Sequence, residues 1–135
     1  DAELLLGRHA AAATAFERAE RIADAIGHGV RHDARAGRAR AALAQGDTAA
    51  AVAHEQQLLD LRAAGRSWDG ADSRLILWTC HTVLMQAGDS RAAELLAAAR
   101  VELEARAATI NDATLRDSFV ANVPHHRAIA AAATG

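Results

Sequence analysis

The sequence predicts an all-α chain: a right-handed α-solenoid of about two and a half helix-turn-helix repeats, closed by a C-terminal pair of capping helices. Three observations carry this reading. Of the 135 residues 51% are hydrophobic, yet only 3% are aromatic and tyrosine is absent. Much of the apolar content is alanine, the strongest helix former, so strands built from β-branched and aromatic residues are not expected. A short glycine turn also recurs three times, as LGRHAAA at Leu6 to Ala12, QGDTAAA at Gln45 to Ala51 and AGDSRAA at Ala87 to Ala93. Finally, the single proline, Pro124, stands in LRDSFVANVPHHR, where it suits the first turn of a last helix.

In chain order, residues 1–6 read as the tail of a helix that ends at the turn of Gly7, and residues 8–26 as a helix ending at Gly27-His28-Gly29. The next helix, 31–45, stops at Gly46. After it Asp47 or Thr48 accepts from the free amides of helix 48–64. The GRSWDG connection, with Trp68 folded over the core, leads into helix 71–87. There Leu77, Cys80 and Leu84 share one face and Trp78, His81 and Met85 another. Two apolar faces require neighbours on two sides, as an inner helix of a stack has. The turn at Gly88 opens helix 90–108. Helices 113–121 and 124–133 complete the chain as the cap, with Phe119 and Val123 as its apolar face. Phe119 is expected to be the buried anchor of this cap, and His125 and His126 to carry little of its stability. The repeat frame is therefore a partial repeat over 1–27, repeats over 31–64 and 71–108, and capping helices over 113–133, within one domain.

Composition excludes whole classes of chemistry. All 15 basic residues are arginine, which removes Schiff-base lysines, P-loop lysines and lysine general bases. A net charge of −2 gives no global attraction to nucleic acid or acidic lipid. One cysteine, Cys80, allows neither a disulfide framework nor a cysteine metal cluster within the chain, and a reducing cytoplasm is the expected home. No membrane partner and no cofactor are implied. The chain opens on Asp1 in what reads as mid-helix, as expected of a piece of a longer protein.

Gly7, His9, Ala12, Phe16 and Ala19 together resemble the second half of a tetratricopeptide repeat. The second copy keeps Gly46 and Ala51 but places Glu55 where that repeat favours an aromatic residue. The third keeps Gly88 and Ala93, followed by Ala97 and Arg100. Toward the end, Arg116, Phe119, Val123, Pro124, His126 and Arg127 form a string similar to the close of tetratricopeptide arrays in large bacterial ATP-binding signalling proteins. These are LuxR-like transcriptional regulators and ATPase-linked nucleotide cyclases. The resemblance implies a non-catalytic protein-binding or autoregulatory scaffold within such a protein. A small-ligand or peptide sensor is the alternative.

The resemblance places Leu75, Trp78, Thr82 and Met85 on the helix that would line a concave groove, whereas a Trp and Met stripe at this spacing is more often core than binding surface. Arg31, Arg35 and Arg38, at i, i+4 and i+7, share a face suited to an acidic peptide, or to pairing with Glu17, Glu20 or Asp33. The candidate partner-binding set is Arg35, Arg38, Arg40, Leu75, Trp78, Thr82 and Met85. Adjacent His125 and His126 point about 100° apart on a helix and are poor joint ligands. His28 and His32, with Asp24, carry metal-like spacing, but glycines interrupt their helix. Ser118 with His125 lacks a nucleophile elbow. Catalytic and metal roles are not expected. Leu4, Leu5 and Leu6 lie at an unpaired edge, through which a two-fold homodimer is expected.

Overall fold

The computed structural model describes residues 2–26, 30–66, 68 and 71–134, and these are all-helical. Seven helices follow one another among the described residues: α1 (Ala2–Ile26), α2 (Val30–Ala44), α3 (Thr48–Ala63), α4 (Ser73–Gln86), α5 (Ala92–Ala108), α6 (Ala113–Ala121) and α7 (Pro124–Thr134). No described helix is long and apolar enough to cross a membrane.

The turns after α2, α3 and α4 are one structure repeated. Gly46, Gly65 and Gly88 take φ of 80°, 74° and 71°, which only glycine adopts without strain. In each, the glycine amide donates three residues back, to Leu43, Arg62 or Met85. The next amide donates five residues back, to Ala42, Leu61 or Leu84. This double closure satisfies the last free carbonyls of the helix. Asp47, Asp72 and Asp112 then accept from the amides of Ala50, Leu75 and Leu115 and start α3, α4 and α6.

The first glycine turn of the sequence reading is not a turn. Gly7 lies within the unbroken helix α1, and its φ is not positive. The true third copy is Gly65. The reason lies downstream of the glycines: Asp47 and Asp72 cap the helices after Gly46 and Gly65 and Asp89 accepts from the Arg91 amide after Gly88, whereas residues 8–13 after Gly7 hold no side-chain oxygen with which to start a new helix. The register of the last copy also shifts, since α5 begins at Ala92, which is buried, while Ala93 is exposed.

Packing arranges the helices in two layers. α2 touches α4, and α4 touches α7. On the other side α1, α3 and α5 each pack on members of the first layer, and their backbones do not approach one another, although the Arg62–Glu94 ion pair spans α3 and α5. The main core joins Leu58 and Leu59 of α3, Ile76, Leu77, Cys80 and Leu84 of α4, Leu95 and Leu103 of α5, and Ile129 of α7. Trp68 closes it, buried and donating Nε1–H to the Leu58 carbonyl at 3.1 Å. A smaller core of Ala39, Ala42, Ala51 and Val83 joins α2 to α3 and α4. The cap is anchored by Ile129, fully buried, while Phe119 is only partly buried against the core and no residue of α6 is fully buried. On α1, which packs on α2 alone, Leu5, Leu6 and Ile22 are exposed.

α2 and α1 meet closely because Gly37 has no side chain. A Cβ there would lie 2.5 Å from the Phe16 ring. Gly37→Ala gains helix propensity of about 1 kcal/mol but must displace that ring. Urea denaturation of the two single variants and the double variant should therefore give a coupling of about 1 kcal/mol or more, with Gly37→Ala harmful beside Phe16 and neutral or stabilising beside Phe16→Ala. Equal effects in both backgrounds would show that the glycine serves another purpose.

Candidate functional site

Four of the seven candidate residues lie on one stripe of α4. Its other sides are occupied: Ile76, Leu77, Thr79, Cys80, His81, Val83 and Leu84 are buried against neighbouring helices. The solvent-facing side is Leu75, Trp78 and Thr82, all half-buried, and Met85, 61% exposed. Trp78 packs on the core and against the His81 ring, with centroids 5.3 Å apart. His81 is held by a 2.8 Å hydrogen bond between Nδ1 and the Ala92 carbonyl. Thr82 donates its hydroxyl back to the Thr79 carbonyl at 2.9 Å, which takes that polar group up within α4. The result is an apolar strip with an aromatic ring held from behind.

The three arginines are placed elsewhere. Arg35 and Arg38 both reach across to Glu20 of α1, Arg35 through a short ion pair and Arg38 at 3.0 Å, with Glu17 3.5 Å from Arg38. Glu20 is buried, so these charge-assisted bonds fasten α1 to α2. Of the pairings open to the arginine stripe, the structure shows those with Glu17 and Glu20. Beside them a cleft of about 240 Å³ is lined by Glu20, Arg31, His32, Arg35, Gln57 and Leu61. Burial there holds His32 below the usual histidine range, with Arg31 adding to the effect and Asp33 opposing it.

Arg40 points the opposite way, toward α4, and donates to the Thr79 hydroxyl at 2.9 Å. Burial lowers its affinity for its proton, and the carboxylates of Asp33 and Asp72 oppose this. Asp72 is a hub that sequence reasoning did not find. Its carboxylate caps α4, its amide donates to Asp33 at 3.0 Å, and its Oδ2 lies 2.9 Å from His125 Nε2 on α7. Burial pushes Asp33 above the ordinary carboxylate range, partly offset by that amide. Burial also holds His125 below the usual histidine range, with Asp72 pulling it back up.

His126 departs from the expectation that it carries little. It is buried, with Arg74 Nε–H donating to Nε2 at 2.9 Å and Nδ1 2.8 Å from the Phe119 carbonyl. Those partners fix the tautomer, because Nε2 must accept and Nδ1 must carry the proton. The Phe119 ring rests on His126 at 4.4 Å and on the Arg74 guanidinium at 5.6 Å, so one imidazole joins α4, α6 and α7. A signal was available, since His126 precedes the buried Ile129 by three residues and shares its helix face.

No group of three His, Cys, Asp or Glu among the described residues is placed to hold a metal ion. His28 and the Asp24 side chain lie outside the described residues. A second cleft, about 440 Å³, separates α3 from α5 over Leu59 and Leu95, with Arg62 and Glu94 3.7 Å apart at its rim. Comparisons of the chain with known protein families, curated proteins and solved structures give no match.

His126→Ala removes a packed ring and leaves the Arg74 Nε–H and the Phe119 carbonyl unpaired, so it should cost about 2–3 kcal/mol. His125, less deeply buried and with the Asp72 carboxylate as its polar contact, should cost less than half of that when replaced by Ala. Denaturant titration of both variants checks the order, and a reversed order would remove His126 as the tie of the cap.

Proposed function

We propose that this chain is a non-catalytic, tetratricopeptide-like helical scaffold that binds a segment of protein along the α2/α4/α7 layer, anchored by Leu75, Trp78, Thr82 and Met85. The carrying observation is the α4 stripe. A helix packed against α2, α3, α5 and α7 keeps tryptophan and methionine on the one side left to solvent. Large, amphipathic side chains backed by a rigid core are what binding anchors require.

The layer geometry supports the solenoid part of the reading. Backbones that meet along α2, α4 and α7 and do not meet among α1, α3 and α5 are what a curved helical-repeat stack requires, and in this reading α2, α4 and α7 form its inner side. The ionisable groups support the non-catalytic part. Glu20, Arg35, Arg38, Arg40, Asp72 and His126 each join two helices. In this reading the arginines set the angle between helices and the apolar stripe meets the partner. The scaffold would serve as an interaction or autoregulatory module of a larger cytoplasmic bacterial signalling or transcription regulator, and the partner segment would come from that protein or from another.

A small-ligand sensor is the second reading, favoured by the cleft beside Arg31, His32 and Arg35, whose lining suits a carboxylate or phosphate.

A photo-crosslinking residue at position 82, compared with one at the more exposed Val101 on α5, separates the first reading from its rivals. In the cell that makes the protein, position 82 should give adducts and position 101 none. Trp78→Ala should remove them with a loss of roughly 30-fold or more in affinity, about 2 kcal/mol, while leaving the denaturation transition cooperative. Adducts that survive Trp78→Ala, or that form equally from α5, would rule out the stripe.

A further inference from the structure

Glu55 is the least expected residue of the core. It lies on the buried face of α3 between Ala51 and Leu58, with none of its surface exposed. Neither carboxyl oxygen meets a hydrogen-bond donor among the described residues. A buried carboxylate without a donor is strongly disfavoured, whereas a neutral carboxyl is tolerated at much lower cost. The surroundings offer little relief. α2 meets this part of α3 with Ala36, Ala39 and Ala42, and α4 brings Cys80, fully buried. The other titratable group on that part of α4, His81, is engaged with the Ala92 carbonyl of α5. Arg91, before α5, is the one cation that acts on Glu55, and it is bound to Asp89 at 2.9 Å. Asp89 and Asp60 oppose it.

We propose that Glu55 is a proton-operated latch at the junction of α3 with α4 and α5. Protonated, it lets the junction close; ionised, it favours an opened junction in which its carboxylate reaches water. This goes beyond partner binding and does not rest on it.

Burial pushes the Glu55 carboxyl up from its ordinary 4.5 to about 7, chiefly by desolvation. The neighbouring Cys80 thiol is pushed up to about 12, by burial first and by Glu55 second, so it cannot take the charge in place of Glu55. The sign follows from proton counting. Between about 4.5 and about 7 the closed form holds a proton that the open form has released. Closure is therefore favoured at the acid end and weakens as pH rises through about 7.

Cys80 reports the opening, since the closed junction hides its sulfur and an opened one exposes it. The probe is an uncharged maleimide, applied to the intact protein. The rate for the wild type is divided by that for Glu55→Gln at the same pH, so that thiol ionisation in the open form cancels. From pH 5.5 to pH 8 the ratio should rise about tenfold or more, one unit of pKa difference being a factor of ten. Glu55→Leu should serve equally well as the pH-insensitive reference. A reporter cysteine at Val101, which is always exposed, supplies an internal reference in a Glu55 background if neither variant folds. A ratio that stays flat over this range, or variants that keep the wild-type pH dependence, would overturn the latch.

Discussion

The thinness of α2 is the constraint on which the rest of the structure depends. Its buried face is Ala34, Ala36, Gly37, Ala39, Ala41 and Ala42, with His32 the one large side chain among its buried residues. Helix axes approach in proportion to the side chains between them, so a face of alanine and glycine brings neighbours close. Three of them, α1, α3 and α4, meet α2. Such a face removes little apolar area from water, at roughly 25 cal/mol per Å². The bulk that α2 lacks is supplied by its neighbours: Phe16 over Gly37, Leu58 beside Ala36, and Val83 beside Ala39 and Ala42.

A thin helix leaves charged side chains near its own backbone, and α2 uses them as ties. Arg35 and Arg38 extend to Glu20 on one side, and Arg40 reaches Thr79 on the other, so the same short helix is fastened to α1 and to α4 by guanidinium groups with their stems along its flanks. Planar guanidinium suits this because it forks two ways without losing its charge, as lysine would on burial.

The helical fold was legible because its signals are local. Gly46 and Gly88 followed by aspartate, the connection after Gly65 and the proline at 124 mark four helix boundaries by backbone chemistry alone. Gly7 misled because glycine permits a turn without requiring one. The α4 stripe was legible in part, since the spacing of Leu75, Trp78, Thr82 and Met85 places them on one side, but only the packing of four neighbours shows that this side is the free one. Glu20 was named from spacing as one possible partner of the arginines. Asp72 was not legible as a hub, because it joins Asp33 and His125, 39 and 53 residues away in the chain, through tertiary contacts alone. Glu55 was visible only as a departure from a repeat pattern. Nothing in the surrounding sequence, AVAHEQQLL, marks its carboxyl as more buried than that of an ordinary surface glutamate.

α4 is where these threads meet. Its start is tied to α2 through Asp72 and Asp33, and to α7 through His125 and His126. Its middle is tied to α2 through Thr79, and its buried face lies against Leu58 of α3 and Leu95 of α5. Polar ties run from α4 to α2, α5 and α7, whereas its contact with α3 is apolar, beside a carboxyl that has no hydrogen-bond partner. Directional bonds hold a hinge in place, and apolar surfaces slide or part with smaller loss of specificity. If the latch at Glu55 operates, the α3 side is where the angle between the pairs α2–α3 and α4–α5 would change, because no hydrogen bond of that carboxyl holds it. In the proposed reading a segment lying along the α4 stripe would meet one side of α4, and a change at Glu55 would act on the opposite, buried side, so the two could be coupled through α4 without displacing any residue of the stripe from that helix.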